Sequence, residues 1–234
     1  MKDILRRFDT ADAMIAVLAD EIVTRLKAGV ASNGQSSFVV SGGTTPGALF
    51  DVLSARDAPW EKVTITLSDE RWSDPGQNGS NEFLVRSHLL KGKAAAAKFV
   101  AMKTPDATPD DGAPKAERAI AAIRKPFDVT LLGMGDDGHT ASLYPRSAEL
   151  KTALDISAPA LVHAVHAKDA AKTGDRLTLT LRAILDSKWI VLLIRGAEKM
   201  KTYQAAEAGD DLTEMPVRNV LGQSKAPVAV FWSP

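Results

Sequence analysis

The sequence contains 234 residues, with 29 basic and 29 acidic side chains and therefore no formal net charge. This balance argues against a protein dedicated to nucleic acid or to a membrane surface, since both usually need a basic excess. The chain has no cysteine, which excludes disulfides, thiolate catalysis and cysteine metal sites. The N-terminal segment lacks the apolar core of a secretion signal, and no stretch approaches 18 uninterrupted apolar residues. We therefore expect a cytoplasmic protein without a membrane span.

The first half of the chain alternates helical and extended patterns. Residues 10–28 carry apolar side chains at helical spacing, with Thr10 in an N-cap position and Gly29 at a C-terminal stop. Pro46 begins a second helix, because a proline at the first helical position has no N–H to leave unpaired. The other predicted elements of this half are strands at 37–40, 63–67 and 98–102, a polar loop at 68–80 and a helix from Ser80 to Leu90.

The second half begins after residues 103–114, which are rich in Pro and Asp and predict an exposed connector. A short Ala-rich helix at 115–124 precedes a strand from Phe127 to Leu132. The remaining predicted elements are strands at 176–181, 189–194 and 228–231 and a helix at 196–208. Strands thus alternate with helices along most of the length. This order predicts one α/β domain over 1–234, with an open, mainly parallel, Rossmann-like sheet and helices on both faces.

A segment rich in glycine and hydroxyl groups lies between the strand at 37–40 and the helix at Pro46. It consists of Ser41, Gly42, Gly43, Thr44 and Thr45. Glycines let the backbone approach an oxyanion, hydroxyls can donate to it, and the helix N-terminus adds a partial positive charge. Ala48 stands where a Walker loop needs lysine, so the segment predicts a monophosphate site rather than a nucleoside triphosphate site. A plain turn with an N-cap is the alternative, and the adjacent glycines favour the phosphate site.

A run of polar residues, Ser68-Asp69-Glu70-Arg71-Trp72, directly follows the strand at 63–67. Open α/β sheets bind ligands at the carboxyl ends of their strands. A solvated loop would have the same composition, but this placement favours a binding site. In such a site Asp69 would contact sugar hydroxyls, and Arg71 would contact an oxyanion or a phosphate.

Residues 133–138, Gly-Met-Gly-Asp-Asp-Gly, follow the strand that ends at 132 and precede His139. They match the dinucleotide motif G-x-G-x-x-G, with Asp155 near the place of a ribose-binding acid. That motif normally opens a full helix in the first βα unit, whereas here Pro145 follows soon after, past mid-chain. We therefore give the dinucleotide interpretation little weight. Because the chain has no nucleophile elbow, His139 beside Asp137 favours a general base over a histidine that only caps the turn.

Two single cations, Arg176 and Lys199, lie near predicted strand ends. Each alone would be interpreted as surface charge. Beside a phosphate site, both become candidates to neutralise the phosphate. His163 and His166 form the only other histidine pair. Side chains three apart on a strand point to opposite faces, and without a third ligand we expect no metal site.

Together and in order, these motifs resemble the 6-phosphogluconolactonase family, which hydrolyses 6-phosphogluconolactone to 6-phosphogluconate in the pentose phosphate pathway. The matching segments fall within about residues 37–205 and are SGGTTP, SDERW, Ser80-Asn81, LGMGDDGHTASLYP, the Arg of RLTLTL and the Lys of RGAEK. The resemblance implies a fold related to glucosamine-6-phosphate deaminase. It also implies that His139 is the general base, next to Asp137, and that neither a cofactor nor a metal is required.

The resemblance further implies a substrate site. Ser41 to Thr45 would hold the phosphate together with Arg176 and Lys199, and Asp69 and Arg71 would border the sugar. The remaining substrate-binding candidates are Asn81, Gly135 and Gly138.

The loop after SDERW departs from the family pattern. The family commonly has Val-Pro there and a His-x-Asp-Ser-Asn further on. In this chain Ser73-Asp74 and Gln77-Asn78-Gly79-Ser80-Asn81 occupy the loop. Ser80 and Asn81 of the pattern are retained, whereas its His and Asp are missing.

Two other functions remain open from the sequence. A deaminase or isomerase of an amino sugar 6-phosphate shares the phosphate site and the Asp-Gly-His turn. The resembling deaminase, however, has a glutamate at the position of Tyr144 and an aromatic residue at that of Arg71. A non-catalytic sugar-phosphate sensor needs no base, so His139 and Asp137 argue against it. We expect a small sugar-phosphate substrate, no nucleic-acid or membrane partner, and slightly favour a monomer.

Overall fold

The computed structural model describes residues 4–77, 79–167 and 174–234, and Asn78 of the divergent loop lies outside them. The strands, in chain order, are β1 (Leu5–Arg7), β2 (Ser36–Val40), β3 (Val63–Leu67), β4 (Asp69–Arg71), β5 (Lys98–Val100), β6 (Val129–Leu132), β7 (Val162–Ala167), β8 (Gly174–Leu179), β9 (Ile190–Arg195) and β10 (Val228–Ser233). Within the described ranges, seven of them form one parallel sheet in the order β1-β10-β9-β6-β2-β3-β5. The predicted mainly parallel α/β sheet is confirmed.

The helices, in chain order, are α1 (Ala11–Asn33), α2 (Pro46–Ala55), α3 (Asn81–His88), α4 (Pro109–Ala121), α5 (Leu150–Leu154), α6 (Leu181–Leu185), α7 (Ala197–Ala208) and α8 (Arg218–Leu221). The central strands β2 and β6 are buried along their whole length, as expected for a parallel sheet covered on both faces. None of the helices in the described ranges combines the length and apolarity that a bilayer crossing requires.

The sheet grows in two directions from its middle. From β2 the chain passes through α2 to β3 and then to β5 on one side. Later it enters β6 and continues to β9 and β10 on the other side. The pairing of β2 with β6, with Phe38 opposite Val129, therefore marks the point where the strand order reverses. Open α/β sheets bind ligands in the crevice at the carboxyl ends of such a strand pair.

A second, antiparallel sheet of three strands was not predicted. It joins β4 to β8 and β8 to β7. The prediction that 68–80 is entirely loop is therefore wrong for Asp69–Arg71. The strand predicted at 176–181 exists but runs over Gly174–Leu179, and it belongs to this small sheet. Polar side chains indicated a loop, but a short polar strand is stable here because β8 supplies its backbone hydrogen bonds.

Helix α1 continues to Asn33, so the predicted stop at Gly29 is wrong. Gly29 is buried where the helix meets the sheet. A Cβ at this position would lie 2.7 Å from side-chain atoms of Asp128 and Ser36. The helix is ended instead by Gly34, whose φ is +73° and whose N–H donates to the carbonyl of Val30 over 2.8 Å. The first glycine thus marks a close approach to the sheet, and the second marks the helix end.

Helix α4 begins at Pro109, so part of the predicted connector at 103–114 is helical and the predicted helix at 115–124 begins too late. Thr108 is the N-cap, and its hydroxyl accepts from the N–H of Asp111 over 3.2 Å. Pro109 needs no partner in the first turn, and Pro114 forfeits only one backbone hydrogen bond. A segment rich in proline therefore forms a helix because its prolines lie near the N-terminal end.

Candidate active site

A cavity of about 510 Å³ lies at the carboxyl ends of β2, β6 and β9, next to the small antiparallel sheet. It is lined by every predicted site residue except Gly138. These are Ser41, Gly42, Gly43, Thr44, Thr45, Asp69, Arg71, Asn81, Gly135, Asp137, His139, Arg176 and Lys199. Residues up to 158 positions apart in the chain, as Ser41 and Lys199 are, meet here because parallel strands end at one edge of the sheet.

His139 is held by Asp137 in the turn that follows β6. The Nδ1 atom of His139 lies 2.5 Å from Oδ1 of Asp137, and the backbone N–H of His139 donates to the same oxygen over 3.1 Å. A carboxylate at Nδ1 fixes the tautomer in which Nε2 is free to accept a proton. The His139 side chain is 27% exposed, so the ring is both oriented and open to the cavity.

The segment between β2 and α2 has the geometry of an anion cradle. Thr45 is the N-cap residue of α2 but makes no side-chain cap hydrogen bond within the described structure. Pro46 has no N–H, so the N–H groups of Gly47 and Ala48 are the first that α2 could offer to an anion, at the positive end of the helix dipole. Gly43 has a φ of +104°, and a Cβ on Gly42 would collide with the side chain of Asn81. Gly43 is thus required by its backbone conformation, and Gly42 by the close approach of Asn81.

Two of the predicted cations line the cavity in different states. Arg176 is 8% exposed, and its Nε finds no hydrogen-bond partner among the described residues. Its NH1 lies 3.8 Å from Oδ2 of Asp69, and in the register of β4 with β8 it stands opposite Arg71. Like charges opposite each other are unfavourable, and an anion between them would relieve this. Lys199 pairs with the exposed Asp136 over 2.7 Å.

Asp69 is held by several donors. Its carboxylate accepts from the hydroxyl of Ser142 over 2.7 Å and from the hydroxyl of Ser68 over 3.1 Å. The side chain of Asn81 donates to its carbonyl over 2.8 Å. Asp69 and Asn81 are both buried, so their positions are fixed before any ligand arrives.

A family model described as glucosamine-6-phosphate isomerases/6-phosphogluconolactonase matches residues 9–232. The chain belongs to this family. A curated 6-phosphogluconolactonase of Rhizobium meliloti is 40% identical, with 97% of each chain covered. One from Pseudomonas putida is 38% identical over 96% of this chain and 90% of its own length.

Solved structures agree with this family assignment. A crystal structure of a 6-phosphogluconolactonase from Shewanella baltica superposes with a TM-score of 0.95 at 43% identity, covering 99% of this chain and 97% of its own. A monomeric glucosamine-6-phosphate deaminase superposes with a TM-score of 0.79 at 16% identity, covering 98% and 96%. This second likeness concerns the fold alone, and it confirms the predicted relation to the deaminase fold.

Two glycines of the His139 turn differ in their place relative to the cavity. Gly135 lines it, and a Cβ there would collide with the ring of His139. Gly138 does not line the cavity. Its φ is +77°, and a Cβ would lie 2.7 Å from Met215. Gly138 thus has a part in the turn, because only glycine readily adopts this backbone next to Met215, and its expected contact with a ligand stays a prediction.

Several lining residues were not assigned from the sequence. They are Pro46, Gly133, Met134, Asp136, Ala141, Tyr144, Leu193, Ile194 and Arg195. Tyr144 is the most informative. Its ring centroid lies 4.8 Å from that of His139 and 5.7 Å from Cζ of Arg176, so it packs between the two ends of the site. Burial raises the pKa of Tyr144, while the charge of Arg176 acts in the opposite direction. Its place five positions after His139 was the signal that could have identified it.

Two other predictions concern ligands outside this family's chemistry. Residues 133–138 lead into turns rather than a helix, since the next helix is α5 at Leu150–Leu154. This agrees with the low weight given to dinucleotide binding. Among the described residues, His, Asp and Glu side chains do not form a group of three that could hold a metal ion.

Proposed function

We propose that this protein hydrolyses 6-phospho-D-glucono-1,5-lactone to 6-phospho-D-gluconate, the second step of the oxidative pentose phosphate pathway. One observation carries the proposal. A single cavity contains, at one end, the N-terminus of α2 without a side-chain cap and the cations Arg176 and Lys199. At its other end lies the imidazole of His139, which the carboxylate of Asp137 orients. The curated names of relatives at about 40% identity support the same activity.

The phosphate is proposed to bind between the cradle at 41–45 and the cations Arg176 and Lys199. Backbone N–H groups at the start of α2 donate to its oxygens, and the two cations neutralise its charge. Lys199 leaves its ion pair with Asp136 and binds the phosphate instead. The loss of this pair costs little, because the side chain of Asp136 is 82% exposed and water solvates its carboxylate. Binding at this end places the lactone ring toward His139.

Hydrolysis begins with a water molecule next to His139. Nε2 takes a proton from the water, while Asp137 stabilises the imidazolium that forms through its contact with Nδ1. The oxygen of the water adds to the lactone carbonyl carbon and creates a tetrahedral oxyanion. Arg71 or the backbone N–H groups of the glycine-rich turn stabilise this oxyanion.

The ester bond then breaks. The oxyanion collapses, the bond between C1 and the ring oxygen opens, and His139 returns its proton to that oxygen. The product carries a carboxylic acid, which ionises, and a free hydroxyl. A lactone is a reactive ester, so this sequence requires neither a covalent intermediate nor a cofactor.

The proposal includes the setting expected from the sequence. The protein would act as one α/β domain, as a monomer and in the cytoplasm. The balanced charge of the sequence agrees with a small-molecule substrate rather than a nucleic-acid partner.

A pH-stat assay tests the activity. Freshly prepared 6-phosphogluconolactone at neutral pH should release acid faster with the protein than in a protein-free blank, which corrects for spontaneous hydrolysis. Glucosamine 6-phosphate, incubated in parallel, should release no ammonia. Ammonia release without lactone hydrolysis would replace this proposal with a deaminase, and phosphate-ester binding without either reaction would indicate a sensor.

A further inference from the structure

Strand β4 divides its three side chains between the cavity and the protein interior. Asp69 and Arg71 line the cavity. Glu70 lies between them, and because side chains alternate along a strand it points the other way. Its side chain is completely buried. A buried carboxylate is costly unless donors surround it, so its partners show what it does.

Four donors surround the carboxylate of Glu70. Oε1 accepts from the backbone N–H of Arg71 over 2.7 Å and from that of Asn81 over 2.8 Å. Oε2 accepts from the N–H of Glu82 over 2.7 Å and from the hydroxyl of Ser80 over 2.9 Å. Burial raises the pKa of Glu70, whereas these hydrogen bonds favour its ionised form.

Three of these donors belong to the start of helix α3. Ser80 is the N-cap of α3, and its hydroxyl also accepts from the N–H of Phe83 over 3.2 Å. Glu70 therefore acts as a carboxylate cap supplied by a different element, at the positive end of the helix dipole. Its fourth donor, the N–H of Arg71, belongs to β4 itself. One carboxylate thus ties β4 to α3.

The two elements tied in this way each deliver a lining residue. Arg71 comes from β4 and Asn81 from the first position of α3. Asn81 also contacts the cradle, since its side chain occupies the space beside Gly42 that a Cβ would need. A shift of α3 relative to β4 would therefore move Asn81 against both Asp69 and the cradle.

We infer that Glu70 is a positioning residue for the substrate site, which acts by fixing Arg71 and Asn81 at the sugar end of the cavity. This inference rests on the proposed function, because the proposed lactone lies against these two residues. Glu70 itself touches no substrate. Its effect on catalysis passes through the backbone N–H groups that it holds.

The test is the substitution Glu70→Gln with Glu117→Gln as its matched control. A glutamine keeps the size but places an amide N–H₂ against donors that need an acceptor. Glu117 has a similar task away from the cavity, where its carboxylate accepts from the N–H groups of Leu161 and Val162 over 2.8 to 3.0 Å. Urea denaturation of both variants at several temperatures identifies a temperature at which each variant is fully folded without urea.

The two substitutions should have different effects on the steady-state constants KM and kcat/KM. Glu70→Gln should raise the KM for 6-phosphogluconolactone and the calorimetric Kd for 6-phosphogluconate, with kcat/KM lower by about tenfold to a hundredfold, since a displacement of about 1 Å in a site has effects of this size. Glu117→Gln should leave kcat/KM within about twofold. Simple instability would instead lower the active fraction, and hence the apparent kcat, at constant KM. A folded Glu70→Gln enzyme with unchanged KM and Kd would overturn the inference.

Ser80→Ala gives a second route if Glu70→Gln does not fold. It removes one of the four donors and should raise KM and Kd in the same direction by a smaller factor, and unchanged values would again overturn the inference. An inactive wild type would count against the proposed function alone. In that case binding of 6-phosphogluconate, compared between the Glu70 and Glu117 variants, still decides the positioning role.

Discussion

Two polar clusters lie at opposite ends of the central strands, and they differ in whether their hydrogen bonds are satisfied. At the amino end, the buried Asp128 accepts from the hydroxyl of Ser36 and the N–H of Ser37, each over 2.9 Å, and pairs with Lys188 over 2.6 Å. We call this the Asp128 cluster. At the carboxyl end, Nε of Arg71 and of Arg176 are buried without a partner among the described residues.

The difference separates a structural role from a binding role. Buried polar groups are almost always paired, because an unpaired donor costs roughly 1–3 kcal/mol. The Asp128 cluster meets this rule within the protein and joins β2, β6 and the segment before β9. At the other end, we propose that the two arginines, both of which line the cavity, meet it with the anionic groups of the substrate. Substitutions in the first cluster should therefore affect folding, and substitutions in the second should affect substrate binding or turnover.

The largest effect is expected for His139→Ala. Removal of a general base lowers kcat by about two to four orders of magnitude, whereas KM should change little because the phosphate end is intact. The pH-stat assay gives both constants. A folded variant with wild-type turnover would show that His139 is not the general base. It would also contradict the assignment of a functional role to the carboxyl end of the strands.

Asp128→Ala should have the largest effect on stability. It leaves the N–H of Ser37 and the hydroxyl of Ser36 without their acceptor, so we expect the free energy of unfolding to fall by about 3 kcal/mol, as for the loss of hydrogen bonds to a charged group. Urea denaturation measures this change. At low temperature, where the variant is folded, its KM should equal that of the wild type. A raised KM would show that the two clusters are coupled through β2 and β6.

Arg176→Met should show the opposite behaviour. The substitution removes a charge-assisted contact with the proposed phosphate, worth roughly 1.5–3 kcal/mol, so KM should rise by about tenfold or more. Unfolding free energy should fall by less than in Asp128→Ala, because the loss of the pair with Asp69 is partly offset by removal of the unmet guanidinium donor and of the repulsion from Arg71. Loss of stability without a change in KM would place Arg176 with the structural cluster.

The smallest effect is expected at an exposed cluster. His166 lies between Asp175, 3.0 Å from its Nδ1, and Asp110, 2.9 Å from its Nε2. The hydrogen bond with Asp175, followed by the charges of both carboxylates, raises the pKa of His166 above its usual value. The protonated form is therefore favoured in the folded protein. Its stabilising contribution is complete below the usual pKa of about 6.5 and is lost as the pH rises through the raised pKa.

This contribution should be below about 1 kcal/mol, because the His166 side chain is 38% exposed and water screens the pairs. Urea denaturation of wild type and His166→Gln at pH 6 and pH 9 measures it. The two proteins should differ at pH 6 and converge at pH 9. His163→Gln on the same strand is the control. A gap that widens toward high pH would contradict the sign.

The sequence was sufficient to predict the strands of the main sheet that end at the cavity. The segments at 37–40, 63–67 and 127–132 consist mainly of apolar and β-branched residues, and such short segments are typical of buried strands in an α/β order. Each is followed directly by its functional segment, so the site residues could be found from strand ends. His139 and the cradle at 41–45 were identified in this way, before any geometry was known.

The parts that could not be predicted depend on contacts made across the fold. Glu70 is polar, yet it is buried because α3 brings three donors to it. Gly29 suggested a helix end, yet it allows α1 to approach Asp128. Pro109 and Pro114 suggested a connector, yet they lie in the first turns of a helix. For Glu70 and Gly29 a long-range partner reversed the local preference, whereas the two prolines are tolerated because of their position near the start of the helix.

The pairing of β2 with β6 at the centre of the sheet has a kinetic consequence. Strand neighbours Phe38 and Val129 are 91 positions apart in the sequence, and β6 must also pair with β9, where Thr130 lies opposite Ile190. Such distant contacts form slowly, because the entropy cost of closing a long loop comes before the contacts can stabilise the chain. Recovery of lactonase turnover during refolding should therefore lag behind recovery of helical circular dichroism, and turnover becomes a reporter of the last long-range pairing to form.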